Sequence, residues 1–499
     1  MKRLSLISLI TILALATPLA LAAREINDPD ITDAVEDELL FDPAVLLNNI
    51  DVVTADGVVT LKGTTDNILA RRRAARLAET VKGVRSVINR IEVRAKKTRT
   101  DSEIRRDVSE ALLTDPAAES YEVDVAVNDG KVTLTGQVES WQERSLSEKI
   151  AAGVKGVRAI ENKIDVDYRT DRPAIEIAPE IEARLRWDAL VDHGLIDVRV
   201  EDNGVVTLTG TVGSAAEKSR AVADAWVAGV TDVRASQLTV AKWARDEDIV
   251  ANKYRALEAD SIREAITDAL LYDPRVKSFN VNVEVDGSLV TLRGTVDNLE
   301  AKRAAARVAR NTVGVTGVTN RLKVRMEEPP SDRAIEDRIA DVLIWDPYID
   351  RTDVTIDVDD GVVTLTGVAD TLYEKGHADE AVSGVQGVIE VNNNLAVAEA
   401  PKPLVYDPYV TGWNPYESEW YDYEPGVTYE TDEEIREEIN DELWWSPFVD
   451  SDEVTVTVED GVATLTGMVD SWSEKRAATE NAYEGGATWV HNNLGIETD

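Results

Sequence analysis

Cysteine is absent from the 499 residues. Disulfides, thiol nucleophiles, thiolate metal sites and a lipid-modified cysteine are therefore excluded. Histidine occurs three times, as His193, His377 and His491. The three fall at unrelated places, whereas a metal site needs ligands that converge on one ion. No serine or threonine has a histidine and a carboxylate recurring beside it, so nucleophilic catalysis lacks its parts. The expectation is a protein that is not an enzyme and carries no cofactor or metal. Positive charge is also scarce, with 54 Lys and Arg against 94 Asp and Glu and a formal charge of -40. That excess opposes contact with nucleic acid and other acidic polymers. Strong screening in a saline compartment, or attraction for cations and basic partners, would each account for it.

Long apolar runs are missing except at the start of the chain. Lys2 and Arg3 precede a run from Leu4 to Ala16, and Ala20-Leu21-Ala22 places small residues where a signal peptidase reads. Residues 1–22 read as a secretory signal peptide, because the run falls short of the roughly 20 residues a membrane span needs. Its removal takes away Lys2 and Arg3 and leaves a formal charge of -42. The expected location is the periplasm, with release to the medium as the alternative, and no transmembrane segment is expected.

What the chain does have is repetition. A glycine closing a VVTLTG-like strand recurs at Gly63, Gly136, Gly210, Gly294, Gly367 and Gly467, spaced by 73, 74, 84, 73 and 100 residues. A period near 73 indicates a string of small domains rather than a solenoid. Each unit opens with an apolar stripe at i, i+4 and i+8, such as Ile31, Val35 and Leu39, the mark of an amphipathic helix. That helix stops at Asp42-Pro43, Asp115-Pro116, Asp273-Pro274 and Asp346-Pro347, since the residue before proline is pushed out of helical geometry. Repeat 3 has Pro179 inside the expected helix, whose first turn is expected to be lost or shifted. An alternating strand follows, then an Asp-Gly turn at Asp56-Gly57, Asp129-Gly130, Asp360-Gly361 and Asp460-Gly461 suited to a two-residue hairpin. Repeats 3 and 4 carry one more residue there, which suggests bulged hairpins. A second helix is capped at Asn67, Ser140, Ser214, Asn298, Thr371 and Ser471, and four of these have Glu three places on, the pattern of a capping box.

The repeats resemble the BON domain family, on the strength of the opening segment DSEIRRDVSEALLTDP, the DGVVTLTG hairpin and a second helix ending in VKGVRSVINRIEV. The resemblance implies αββαβ domains in bacterial envelope proteins, linked with phospholipid binding, stress tolerance and the handling of envelope proteins. It implies no catalytic residues. The expected fold is α+β: six tandem units, each a three-stranded mixed sheet with two helices on one face. Their bounds are 23–97, 98–170, 171–241, 261–328, 329–400 and 431–499, with a charged, helical spacer at 242–260 and an aromatic, proline-rich spacer at 401–430. The second helices of repeats 1 and 4 are the most alike, which hints at a duplicated three-domain block.

Several features are candidates for contact with partners. Basic residues gather on two of the second helices: Arg71, Arg72, Arg73 and Arg76, then Lys302, Arg303, Arg307 and Arg310. They are read either as a solvated helix face or as a patch for phospholipid headgroups. The spacer at 401–430 holds Trp413, Trp420 and Tyr421 among eight aromatic rings. It is read as a strap packed on neighbouring domains or as a segment that binds envelope proteins, sugars or lipid. Aromatic residues at the end of the first helix, at Phe41, Trp187, Tyr272, Trp345 and Trp445, are read as packing. Asp357, Asp359 and Asp360 before Gly361 do not make an EF-hand, since Ile356 would fall at the first ligand position. The expected role is a noncatalytic, chaperone-like scaffold for envelope proteins under stress, with a peripheral phospholipid-binding protein as the alternative.

Overall fold

Each of the six units folds as the sequence leads one to expect. The computed structural model describes residues 26–45, 49–95, 99–115, 123–168, 172–245, 257–271, 276, 280–326, 328–349, 353–398 and 431–497. The expected signal peptide at 1–22, the aromatic spacer with Trp413, Trp420 and Tyr421, and residues 246–256 of the charged spacer lie outside them. Lys242–Arg245 form a 3-10 turn, and the first helix of repeat 4, Ala259–Leu271, already begins within the spacer.

Repeat 1 illustrates the plan. Its leading helix, Asp28–Phe41, is capped by a reciprocal bond pair between Asn27 and Asp30. The antiparallel hairpin Asn49–Ala55 and Val58–Thr65 follows, then the crossover helix Ile68–Glu79 and a closing strand Ser86–Val93 parallel to the second hairpin strand. The same sheet order, with one antiparallel and one parallel pairing, recurs in the first five repeats, and in repeat 6 the closing strand is split into Trp489–Asn492 and Gly495–Ile496, both parallel to the second hairpin strand. The leading stripe and the middle leucine of each VTLTG-type strand make the cores: Ile31, Val35, Leu39 and Leu61 are buried, as are Leu134, Leu208, Leu292, Leu365 and Leu465 in the other repeats. Each such side chain contributes about 1.5–3 kcal/mol by leaving water. A core of this size is marginal for about 70 residues, so docking between repeats adds needed burial.

The repeated glycine is explained by geometry at both backbone and neighbour. Gly467 has φ +137°, and a Cβ there would stand 1.9 Å from the carbonyl oxygen of Glu453, at the start of the hairpin. Gly63, Gly294 and Gly367 are placed in the same way against Asn49, Asn280 and Asp353. The Asp-Gly turns put both residues at positive φ, as in Asp56 (52°) and Gly57 (71°). Their two N–H groups donate to a carboxylate at the start of the leading helix, Asp28, Asp101, Asp332 or Asp432. In repeat 2 these two backbone bonds hold the Asp101 carboxyl below its ordinary pKa. Asparagine in the last strand has a fixed task as well. The amides of Asn89, Asn162, Asn320, Asn393 and Asn492 donate to crossover-helix carbonyls of Arg71, Arg144, Lys302, Lys375 and Lys475.

Three expectations need correction. The leading helix of repeat 3 is full length, Ala174–Trp187, with Pro179 inside it. Proline costs only the bond to the carbonyl of Ile175, a residue 81% exposed and open to water. Repeat 4 has no bulge in its hairpin: Asp286 pairs with Leu289 around a two-residue Gly287-Ser288 turn. Repeat 3 does have the longer turn, and its closing strand slips register between Thr207 and Thr209. The glutamates after the crossover caps reach one residue further back than a capping box: Glu143, Glu217, Glu374 and Glu474 accept from the N–H groups of Glu139, Gly213, Asp370 and Asp470.

Candidate functional site

Chemistry concentrates where the repeats meet. The aspartate that stops the leading helix is held by a cation six residues past the crossover cap in repeats 1, 3 and 5. Arg73 binds Asp42 at 2.5 Å, Arg220 binds Asp188 at 2.5 Å, and His377 Nε2 lies 2.7 Å from Asp346. The corresponding residues of repeats 2, 4 and 6 are Leu146, Ala304 and Ala477. Repeats 1, 3 and 5 thus carry an ion pair at a position that repeats 2, 4 and 6 fill with an apolar residue.

Repeats 1, 2 and 3 close a ring through their crossover helices. Ile68 enters the core of repeat 2, and Arg72 binds Glu148 at 2.5 Å. Trp141 stacks on Trp226 of repeat 3 at 5.0 Å, and Ala215 of repeat 3 enters the core of repeat 1. In the second block Leu299 enters the core of repeat 5, and Arg303 binds Asp379 at 2.5 Å in the register of Arg72 and Glu148. The Arg310 guanidinium lies 5.0 Å from the ring centre of Trp472 in repeat 6. The duplicated block suggested by the sequence thus has a counterpart in the contacts.

One hydrogen bond, used three times, joins the blocks. The carbonyl of the last aromatic residue of a leading helix accepts from the residue just before the glycine of another repeat's G-V-x-x-V motif. Lys82 donates to Trp445 at 3.2 Å, Lys155 to Trp345 at 2.6 Å and Val313 to Trp187 at 3.0 Å. These bonds tie repeat 1 to 6, 2 to 5 and 4 to 3. The rings take part: Trp445 packs on the core of repeat 1 and Trp187 on that of repeat 4. For Trp187 and Trp445 the reading as packing therefore holds, though the core they reach belongs to another repeat, while Tyr272 and the side chain of Phe41 lie outside the described residues. His377 is half-buried, paired with Asp346 and stacked on Tyr373.

Of the basic candidates, Arg72, Arg73, Arg303 and Arg310 sit in these contacts. Burial lowers the pKa of Arg72 against the pull of Glu148. Arg71, Arg76, Lys302 and Arg307 are half-buried on the same two helices. Other cations stand on the open sheet faces, where Lys62 neighbours Arg90 in register and Arg293 neighbours Arg321, with Lys323 two places on. Lys62, Arg90, Arg321 and Lys323 are exposed. Apolar exposure also recurs, because the residue two places before the aspartate of the Asp-Pro stop is Leu40 (57% exposed), Leu113 (55%), Leu271 (50%) and Ile344 (49%) in four repeats. Sequence reading missed both sets, although alternation along the strands and the stripe along the helix place them facing outward. It also missed the aspartates that hold the hairpin turns, although a constant spacing of 28 residues, from Asp28 to Asp56 and from Asp432 to Asp460, signals them. Among the described residues no cluster of His, Cys, Asp or Glu could hold a metal ion, and no helix is long and apolar enough to cross a membrane.

The fold and its docking define the class: a tandem array of small αββαβ domains packed through repeated contacts. The family model of the BON domain matches six times, at residues 27–95, 100–168, 176–242, 258–326, 331–399 and 431–498, and the chain belongs to that family. Osmotically-inducible protein Y of Escherichia coli (strain K12) is 30% identical over 145 residues, which are 28% of this chain and 72% of that protein. A solved structure of CdsD, a structural protein of the type III secretion system of Chlamydia trachomatis, is similar at 14% identity over 47% of this chain and 97% of its own, with a TM-score of 0.13. Its C-terminal domain in a second structure gives 13% identity, 46% and 100% coverage and the same score.

Proposed function

We propose that this chain is a noncatalytic binding scaffold of the periplasm, serving under stress and holding unfolded envelope proteins in a chaperone-like manner. The observation that carries the reading is the exposed aliphatic residue at one position of four leading helices, Leu40, Leu113, Leu271 and Ile344. Each offers a weak apolar contact, and linkage in one body turns several weak contacts into avidity. Trp413, Trp420 and Tyr421 are proposed to add apolar area to the same task. The osmotic induction named in the relative from Escherichia coli supports the link with stress. The expected result is ATP-independent slowing of aggregation of an unfolded outer-membrane protein. Changing the four aliphatics together to Ser should raise the concentration needed for protection by about tenfold or more, as avidity is lost. Unaltered protection by that variant would overturn the reading.

A second reading, peripheral attachment to phospholipid, is favoured by the exposed cations of the open faces. Each is worth about 1 kcal/mol near an anionic surface before screening. Arg71, Arg76, Lys302 and Arg307 are its other proposed contacts. Flotation with anionic vesicles, abolished by Arg321→Glu with Lys323→Glu, would favour it over the first.

A further inference from the structure

Repeat 1 meets repeat 5 through a column of rings and charges. The Arg73 guanidinium, held by Asp42, lies 5.1 Å from the centre of the Tyr373 ring. Tyr373 stacks on His377 at 5.7 Å with 10° between the planes, and Tyr348 stands edge-on to both rings at 4.9 and 5.2 Å. His377 in turn lies 2.7 Å from Asp346, whose side chain is only 8% exposed. Tyr348 and Tyr373 also pack against the core of repeat 1. The buried Tyr348 hydroxyl has no hydrogen-bond partner among the described residues. The same position in repeats 1 and 3 carries arginine, a permanent cation, so repeat 5 has a titratable group where its counterparts do not.

We propose that the seam joining repeat 1 to repeats 5 and 6 is a proton-operated latch, closed while His377 is charged and loosened as pH rises, baring Tyr348, Tyr373 and the Trp445 contact. The physical cause is the buried Asp346 carboxylate. With a neutral imidazole it has no counter-charge in a dry site, and a buried charge left unpaired is strongly unfavourable. Opening returns it to water, along with the unpartnered Tyr348 hydroxyl. The charged groups around His377 are Asp346 at the helix stop, Glu374 and Glu380 on its own helix, and Arg73, Arg76 and Asp42 of repeat 1 beyond the tyrosines. Burial alone would lower the histidine pKa, but the charge and hydrogen bond of Asp346, aided by the two glutamates, hold it above 6.5. Because the folded value is the higher, its stabilisation is fully present below pH 6.5 and disappears as pH climbs through that raised value.

The adjoining contact with repeat 6 works in the same direction. Burial, then the charges of Glu442 and Asp42, against Arg73, raise the pKa of Glu38 well above the ordinary range. Glu442 is pushed up to about 7 by burial and by Asp441, Glu438 and Asp37. Both carboxyls stabilise the seam while protonated, and their ionisation with rising pH adds repulsion between leading helices. Lys82 is the cation at this contact, with Nζ 2.7 Å from the Trp444 carbonyl oxygen.

Hydrogen exchange on the full chain tests the latch independently of any client. At pH 9, after correction for the intrinsic rate, amides within 342–349 and 372–380 should exchange about tenfold faster than at pH 6, as expected for losing one charged contact. His377→Arg, which copies repeats 1 and 3, should hold the two pH values within about twofold of one another. His377→Gln should exchange rapidly at both. Equal corrected rates for the native chain at the two pH values would overturn the proposal. So would a pH response in His377→Arg as large as the native one.

Discussion

Gly467→Val is expected to unfold repeat 6. A Cβ at that position would lie 1.9 Å from the Glu453 carbonyl oxygen, and φ is +137°, a region closed to β-branched residues. Relief would require moving the backbone that begins the hairpin, whose register pairs Gly467 with Val454. A cost of roughly 4–5 kcal/mol follows from strain and backbone overlap together. That is comparable to the whole stability of a small domain, about 5 kcal/mol at the lower end. Loss of repeat 6 also removes the Trp445 carbonyl from Lys82, so repeat 1 should loosen while repeats 2 and 5 keep their mutual bond. Peptide-resolved hydrogen exchange checks this, and full protection of residues 454–469 in the variant would refute it.

Arg73→Ala is expected to destabilise repeat 1 by about 3–5 kcal/mol, the usual cost of stranding one partner of a buried ion pair. Asp42 is fully buried and takes two bonds from the guanidinium, from Nε at 2.7 Å and from a terminal nitrogen at 2.5 Å. Its other oxygen accepts from the N–H of Ala44, so rotation toward water would break a second bond. Replacing both residues by leucine should recover most of the loss, because no buried charge is then left without its partner. Urea unfolding of the single and double variants measures the difference. If Arg73 acted only on a lipid headgroup, Arg73→Ala would melt like the native chain and lose vesicle binding alone.

The contrast between Arg73 and Arg321 shows how far the sequence could be read. Within a repeat nearly everything was legible, since a stripe such as Ile104, Val108 and Leu112, an Asp-Pro stop and an Asp-Gly turn each have a local physical meaning. Pro179 misled because proline is judged by the bond it removes, and here that bond lies on the wet side of the helix. The extra residue of repeat 4 misled because Gly287-Ser288 makes a two-residue turn of its own. Contacts between repeats were not legible. Arg72 and Arg73 look like a cluster in sequence, yet one reaches Glu148 in the next repeat and the other the stop of its own leading helix. The destination of Arg72 depends on how domains dock, and only the likeness of repeats 1 and 4 gave warning of it.

The central claim is that six BON domains are docked into one body as two three-repeat blocks. Small-angle X-ray scattering of the chain lacking residues 1–22 at moderate salt tests it most directly. Compact packing of about 477 residues gives a radius of gyration of roughly 23 Å, and a single-peaked distance distribution should accompany it. A radius half again as large or more, with a long-tailed distribution that shows separate domains, would contradict the account.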